Sequence, residues 1–326
     1  MSLSTNLLDA LSPENKVFVA FSGGLDSTAL LFLCNKALKQ KKIRNLKAIH
    51  INHNLSKKSL DWVNHCNKTC SKLNIELIVE SIEVASDGGG LESTARQERY
   101  KIFKNILNKD DQLLLAHHSD DVAETIFMRM LRGTGIDGLE GPKRKRNIGN
   151  GILIRPFLSI SKKEILLYLT KNKINYAEDD SNSNSKFDRN FLRNEIFPLL
   201  EKRWKSFPNR INNMSSIIKE RNDDYFELIN NKYNELIDSE IEIKKLKKIP
   251  NSVVRDILRF SIKKSNLSLP NTKIMNEIIK TFLKSSPGPK SIVSWSRSDR
   301  EELAGQITFK NGFLIISKDN RRNDES

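Results

Sequence analysis

An apolar run that halts at two glycines and restarts as a helix constrains this chain more than any other feature. The stretch is VFVAFSGGLDSTALLFL, Val17 to Leu33. Val17–Phe21 reads as a short, buried strand and Ser27–Ala37 as a helix. Between them lie Ser22, Gly23, Gly24, Leu25, Asp26 and Ser27. The glycines let backbone N–H groups approach a ligand closely. The two serines add hydroxyls, and the helix points its positive end back at the turn. Such a turn suits a phosphate or pyrophosphate. Neither G-x-x-x-x-G-K-S/T nor G-x-G-x-x-G is present, which excludes a Walker loop and a dinucleotide fingerprint. Asp26 would repel a phosphate unless Mg²⁺ lay between them. Ser-Gly-Gly alone also fits an ordinary glycine-rich βα turn; the flanking strand, Asp26 and Ser27 favour the anion site.

The pattern around the turn predicts an α/β domain. Strands are expected at Leu46–Ile51, Ile75–Val79 and Gln112–Ala116, with helices at about Leu60–Leu73, over ARQERYKIFKNIL and at Asp120–Leu131. Strands alternating with helices mean βαβ units and a parallel sheet, and ligands of such sheets bind beyond the strands' carboxyl ends. The basic stretch Gly141–Asn150 and the polar stretch Glu178–Asn190 read as loops, and a helix is expected at Lys162–Lys171. After about Trp204 glycine disappears until Gly288, and amphipathic helices are expected. Asn311-Gly312 between two apolar runs is a type I′ hairpin signal. The expected domains are therefore 1–205 and 206–326, the second mainly helical and closed by a small β element.

The cluster AHHSDDVAETIFMRMLRGTG, Ala116–Gly135, carries the next chemical signal. Asp120, Asp121 and Glu124 share a helix face at one helix start. Three carboxylates there repel one another unless a cation sits among them, Mg²⁺ or an ammonium being suitable; simple acid–dipole attraction is the structural alternative. Arg96 and Arg99 lie one turn apart on the preceding helix and either offset phosphate charge or face solvent. The Asp180, Asn182, Arg189, Asn190 and Arg193 group either braces the site or touches RNA. Lys143 and Arg144, within the KRKR run, either contact phosphates or form a solvated loop.

Charge sets the partner class. There are 55 Lys and Arg against 40 Asp and Glu, a formal net charge of +15, which favours a polyanion; a lysine-rich proteome is the bland source of the same excess. Cys34, Cys66 and Cys70 form neither a C-x-x-C pair nor a disulfide framework, as expected in a reducing cytosol. No apolar run approaches the roughly 18 residues of a membrane span, and no signal peptide is evident.

The Ser22–Ser27 turn resembles the loop of the N-type ATP pyrophosphatases, an adenine-nucleotide α-hydrolase-like, Rossmann-like fold. With HINHNL, LESTARQERY, the Ala116–Gly135 cluster and EDDSNSNSKFDRNFLRNEIFPLL in this order, residues 15–205 resemble the tRNA(Ile)-lysidine synthetase family, with Ala116 where a glycine is common. The chain resembles the shorter members that lack a second C-terminal domain. The resemblance implies a cytoplasmic ligase, monomeric or homodimeric, that needs no protein partner and no membrane. It would use ATP, Mg²⁺ and L-lysine to convert the wobble cytidine of a CAU-anticodon isoleucine tRNA to lysidine through an adenylated intermediate. That change moves codon reading from AUG to AUA and identity from Met to Ile. It implies ATP binding by Ser22–Ser27, catalytic roles for Asp26, Arg96, Arg99, His117, Asp121 and Glu124, and Mg²⁺ held by the ATP phosphates with Asp26 and Asp121 as candidate ligands. Arg132, Lys143, Arg144, Asp180, Asn182, Arg189, Asn190 and Arg193 are the candidate tRNA contacts. A tRNA thiolation enzyme with the same loop is the alternative; such enzymes generally need cysteine pairs or a sulfur carrier.

Overall fold

The computed structural model describes residues 3–53, 59–82, 91–178, 187–296 and 303–319. The chain divides into two compact units: Met1–Gly133 with Gly138–Ser216, and Thr134–Asp137 with Ile217–Ser326.

The first unit is a six-stranded sheet with helices on both faces. Its strands are β1 (Val17–Ala20), β2 (Leu46–Asn52), β3 (Glu76–Ser81), β4 (Gln112–Leu114), β5 (Lys145–Ile148) and β6 (Gly151–Ile154), in the order β3-β2-β1-β4-β6-β5. All pair in parallel except β5, which runs antiparallel to β6. Alternation fixes the two faces. Val17, Val19 and Leu114 pack with α1 (Leu3–Leu8) and α2 (Leu25–Lys39). Phe18, Leu113 and Leu115 pack on the other face with Tyr100 and Phe103 of α4 (Leu91–Ile106). Between β2 and β3 lies α3 (Ser59–Leu73). The chain runs outward from β1 to β3, then returns to place β4 on the other side of β1. The crevice between β1 and β4 is thus a topological switch point, where open α/β sheets bind ligands.

Two stretches expected as loops are ordered differently. Lys145 and Arg146 of the KRKR run lie on β5, because Gly149 and Asn150 turn the chain back onto β6. The polar stretch ends in helix: after α5 (Ser119–Leu131), α6 (Ile136–Leu139) and α7 (Lys162–Lys171), α8 begins at Asp188 and runs to Phe191. A π-helical turn, Leu192–Ile196, joins α8 to α9 (Phe197–Arg203). Phe127, Phe197 and Phe207 meet edge to face and tie α5 to this segment. The helix α10 (Phe207–Tyr233) contains the Ser216–Ile217 boundary.

The second unit packs α12 (Asn251–Lys264) and α13 (Thr272–Ile278), which follow the short α11 (Ile243–Leu246), against a four-stranded sheet. Its strands are β7 (Glu240–Glu242), β8 (Ile292–Trp295), β9 (Gly305–Lys310) and β10 (Phe313–Lys318), in the order β7-β10-β9-β8. The expected hairpin is β9–β10: Asn311 and Gly312 both take positive φ, 51° and 87°, as a type I′ turn demands. No described helix is long and apolar enough to cross a membrane.

Candidate active site

The turn after β1 is held by its own side chains. Ser22 N–H donates to Ser27 Oγ at 3.2 Å, and the two hydroxyls lie 3.0 Å apart. Ser27 Oγ donates to the Gly24 carbonyl at 3.1 Å, and Thr28 Oγ1 to the Gly23 carbonyl at 3.1 Å. Two outside contacts fix it: Ala177 N–H donates to the Gly23 carbonyl at 2.9 Å, and His50 Nδ1 donates to the Phe21 carbonyl at 2.9 Å. Gly23 sits at φ 83°, with His65 and Cys66 of α3 each 3.1 Å from where a Cβ would stand. Position 23 thus excludes a side chain twice over, by backbone and by space. Gly24 is the N-cap of α2 and brings no capping side chain, leaving that helix end available to an anion.

Across the switch point, His118 caps α5. Its backbone N–H donates to Asp121 Oδ2 at 3.0 Å. Its imidazole lies within 3.5–3.6 Å of Asp26, Asp120 and Asp121. Burial pulls this imidazole down, but the Asp120 hydrogen bond and the charges of Asp121 and Asp26 outweigh it and lift its pKa. Asp26 Oδ1 is buried and accepts no hydrogen bond from the described residues. Burial, with Asp121 nearby, raises the Asp26 pKa against the pull of His118. Asp120 is engaged structurally, accepting from Lys162 N–H at 2.9 Å.

His117 behaves differently. It accepts at Nδ1 from Arg155 Nε–H at 3.0 Å. Burial, and the cations Arg155, Arg96 and Arg189, hold its pKa well below the ordinary range despite Asp121.

The cations that answer the α5 carboxylates are in the chain itself. Arg189 Nε donates to Glu124 Oε2 at 2.7 Å, and its Nη2 to Asp121 Oδ1 at 3.1 Å. Arg193 Nε donates to Glu124 Oε1 at 2.7 Å, and its Nη2 to Asp121 Oδ1 at 3.0 Å and to Glu124 Oε2 at 2.8 Å. Glu124 is 2% exposed, with both oxygens occupied. Burial raises the Asp121 pKa, but His118 and Arg189 outweigh it and hold the carboxyl well below the usual range. Two of the three carboxylates expected to await Mg²⁺ or an ammonium, Asp121 and Glu124, are thus paired with guanidinia from α8 and the π turn, while Asp120 faces the His118 imidazole. Among the described residues, no group of three His, Cys, Asp or Glu side chains is disposed to hold a metal ion.

The other expected residues divide. Arg96 and Arg99 lie on α4 with their guanidinia 5.3 and 5.9 Å from the centre of the Tyr100 ring, and Arg146 stands 5.0 Å from it. These cations, with Arg155, overcome burial and bring the Tyr100 pKa down to about 8. Arg132 ends α5, exposed, 3.9 Å from Asp188. Arg144 donates to the Asn6 carbonyl at 2.8 Å, and the Lys143 carbonyl accepts from Arg155 at 2.9 Å. Asn190 lies on α8, half-buried. Asp180 and Asn182 lie outside the described residues. Cys34, Cys66 and Cys70 are buried in the apolar core, and burial pushes the Cys66 and Cys70 thiols up to about 12 and 11. Sequence reasoning missed the roles of His118 and Arg155. The signal for His118 was its place beside two aspartates after a strand; a buried arginine in ILIRPFL carries no local signal.

Residues 2–200 match the family described as a PP-loop domain, ATP_bind_3. A tRNA(Ile)-lysidine synthase of Wigglesworthia glossinidia brevipalpis is 36% identical, over 96% of this chain and 80% of its own length. One from Buchnera aphidicola subsp. Acyrthosiphon pisum (strain APS) is 34% identical, over 94% of this chain and 72% of its own. Among solved structures, the U34-tRNA thiolase NcsA from Methanococcus maripaludis with its 4Fe-4S cluster aligns at a TM-score of 0.52 and 20% identity, over 67% of this chain and 78% of that one. At that identity the likeness is one of fold.

Proposed function

Because the chain belongs to the PP-loop family and, within it, to the tRNA(Ile)-lysidine synthases, we propose that it joins L-lysine to C2 of the wobble cytidine in a CAU-anticodon isoleucine tRNA at the expense of ATP. The cytidine O2 attacks the α-phosphorus and pyrophosphate leaves. The lysine amine then attacks C2 and AMP leaves. The observation that carries this reading is the pairing, at one switch point, of an anion-binding turn with a carboxylate–imidazole group.

ATP phosphates suit the Gly23–Gly24 amides and the start of α2. Mg²⁺ fits beside Asp26, whose buried Oδ1 lacks a hydrogen bond; it would supply charge neutralisation at the phosphates. Arg96 and Arg99 offset charge on the same phosphates in this reading. Asp121, Glu124, Arg189 and Arg193 brace the pocket wall as a four-membered ionic group. Lysine reacts only as the free amine, so its proton leaves before attack. We assign tRNA binding chiefly to the residues beyond 216, including the run Lys244–Lys248, in keeping with the net charge of +15. Thiolation is disfavoured by the three thiols, each buried in the apolar core.

The test is nucleoside mass spectrometry of CAU-anticodon isoleucine tRNA after incubation with the protein, ATP and lysine. Lysidine and no thiolated base is the expected product; a sulfur adduct, or unchanged cytidine, overturns the reading. Affinity for tRNA should fall steeply with salt, since Lys and Arg contacts release counterions.

A further inference from the structure

Arg155 directly follows β6 and is 2% exposed, a charge deep inside the first unit. Its Nε–H donates to His117 Nδ1 at 3.0 Å, and its Nη1–H donates to the Lys143 carbonyl at 2.9 Å. A guanidinium has donors only. His117 Nδ1 must therefore be the bare, accepting nitrogen, and the single ring proton resides on Nε2. Neither nitrogen is then left to take up a proton: Nδ1 is engaged and Nε2 is already protonated. Charging the ring would break the Arg155 bond and add a cation to Arg155, Arg96 and Arg189, with Asp121 opposing them. The neighbouring His118 has the opposite surroundings, three aspartates and no arginine bond. Adjacent histidines are thus prepared for different states.

We infer that Arg155 is a positioning residue that fixes His117 in its Nε2–H tautomer, so that His117 serves the reaction as a hydrogen-bond donor to an anionic phosphoryl or carboxylate oxygen and not as the base that takes lysine's proton. The donor role rests on the ligase reading above; the tautomer does not. Arg155 need not touch substrate to matter, because it acts through the imidazole. A neutral donor stabilises an oxyanion without carrying a proton through the step.

Long-range proton–nitrogen spectra of the full-length protein labelled with ¹⁵N-histidine report the tautomer directly. His117 should show a bare Nδ1 and a protonated Nε2, unchanged from about pH 6 to about pH 8. Arg155→Met keeps the apolar stem and removes the donor. It should give mixed tautomers and a ring that titrates nearer the ordinary value. Lysine transfer should fall about tenfold or more in kcat, with KM for ATP within about twofold. Arg155→Lys, which restores a donor, should recover part of both signals. His117→Gln, which retains an N–H donor, should outperform His117→Ala. A wild-type His117 protonated at Nδ1, a folded Arg155→Met protein with unchanged tautomer and kcat, or equal loss in the two His117 variants overturns the inference. If Arg155→Met does not fold, the wild-type spectrum decides. If wild-type protein makes no lysidine, the ligase reading falls with the donor role, while the spectrum still decides the tautomer.

Discussion

The turn at Ser22–Ser27 and the ionic group at Asp121–Glu124 follow neighbouring strands, yet they are held by opposite means. Hydrogen bonds made by side chains within the turn span five residues or fewer, and the contacts from His50 and Ala177 reach it from afar. Ion pairs of the second group span 65 to 72 residues. A motif whose bonds are local can be read from a quoted stretch of sequence. A motif whose partners come from a distant helix shows only half of itself, here two acids whose cations are out of sight. The turn also keeps a carboxylate oxygen, Asp26 Oδ1, without a hydrogen bond among the described residues, while both oxygens of Glu124 are occupied.

The largest effect should come from breaking the ionic group. Arg193→Ala leaves Glu124, buried, with a lone remaining guanidinium, and losing charge-assisted hydrogen bonds to a buried carboxylate costs about 1.5–3 kcal/mol. Urea denaturation should show it. Glu124→Ala should cost comparably, and the double variant much less than the sum, because the partners share one network. Simple additivity would break the claim that the four side chains act as a unit.

Asp26→Ala should do the reverse. Burial raises the Asp26 pKa, so its ionised form is a burden on the fold and its removal should leave stability unchanged or higher. Pyrophosphate release should nonetheless drop about a hundredfold or more, the size of losing one charge contact to reacting phosphates. Wild-type release from a folded Asp26→Ala protein would sink the assignment of the turn to ATP. Changing Cys34, Cys66 and Cys70 to Ser should lower stability while sparing lysine transfer per folded molecule.

The legibility of the rest follows the same division. The strand–turn–helix at Val17–Lys39 and the Asn311-Gly312 hairpin were legible because each depends on residues within a few positions. Strands β5, β7 and β8 were not. Each is three or four residues long, without a strong alternating pattern, and exists because a partner strand lies alongside. The turn that carries Asp26 and the two serines was legible from its spacing. Arg189 and Arg193 were visible as a polar knot but not as partners of Asp121 and Glu124. Arg155 was invisible, since its meaning comes from β4 and β6 pairing in parallel.

The two histidines offer a pH test of the comparison. His118 has a folded pKa above its ordinary value, so its contribution to stability is fully present below about pH 6.5 and is lost as pH rises through the raised folded value. Stability measured by urea midpoint should decline across that window in wild-type protein. His118→Gln removes the charge and keeps a polar side chain, and should flatten the decline. An undiminished slope in that variant would remove His118 from its place among the three aspartates.

The mildest test separates backbone cost from crowding. Gly23 and Gly312 share almost the same φ, 83° and 87°. A Cβ at position 312 meets nothing within 4 Å among the described residues, whereas one at position 23 meets His65 and Cys66 at 3.1 Å. Gly312→Ala should therefore cost only the left-handed penalty, about 1 kcal/mol, and leave ATP turnover untouched. Gly23→Ala adds overpacking to the same penalty, about 2 kcal/mol or more in total, and should displace the ATP loop. If the two alanine variants lost equal stability, contact with α3 would carry no weight, and Gly23 would be a turn glycine like any other. If Gly23→Ala alone also lost pyrophosphate release, the crowding that forbids a side chain there would be the same packing that holds the loop amides in place for the phosphates.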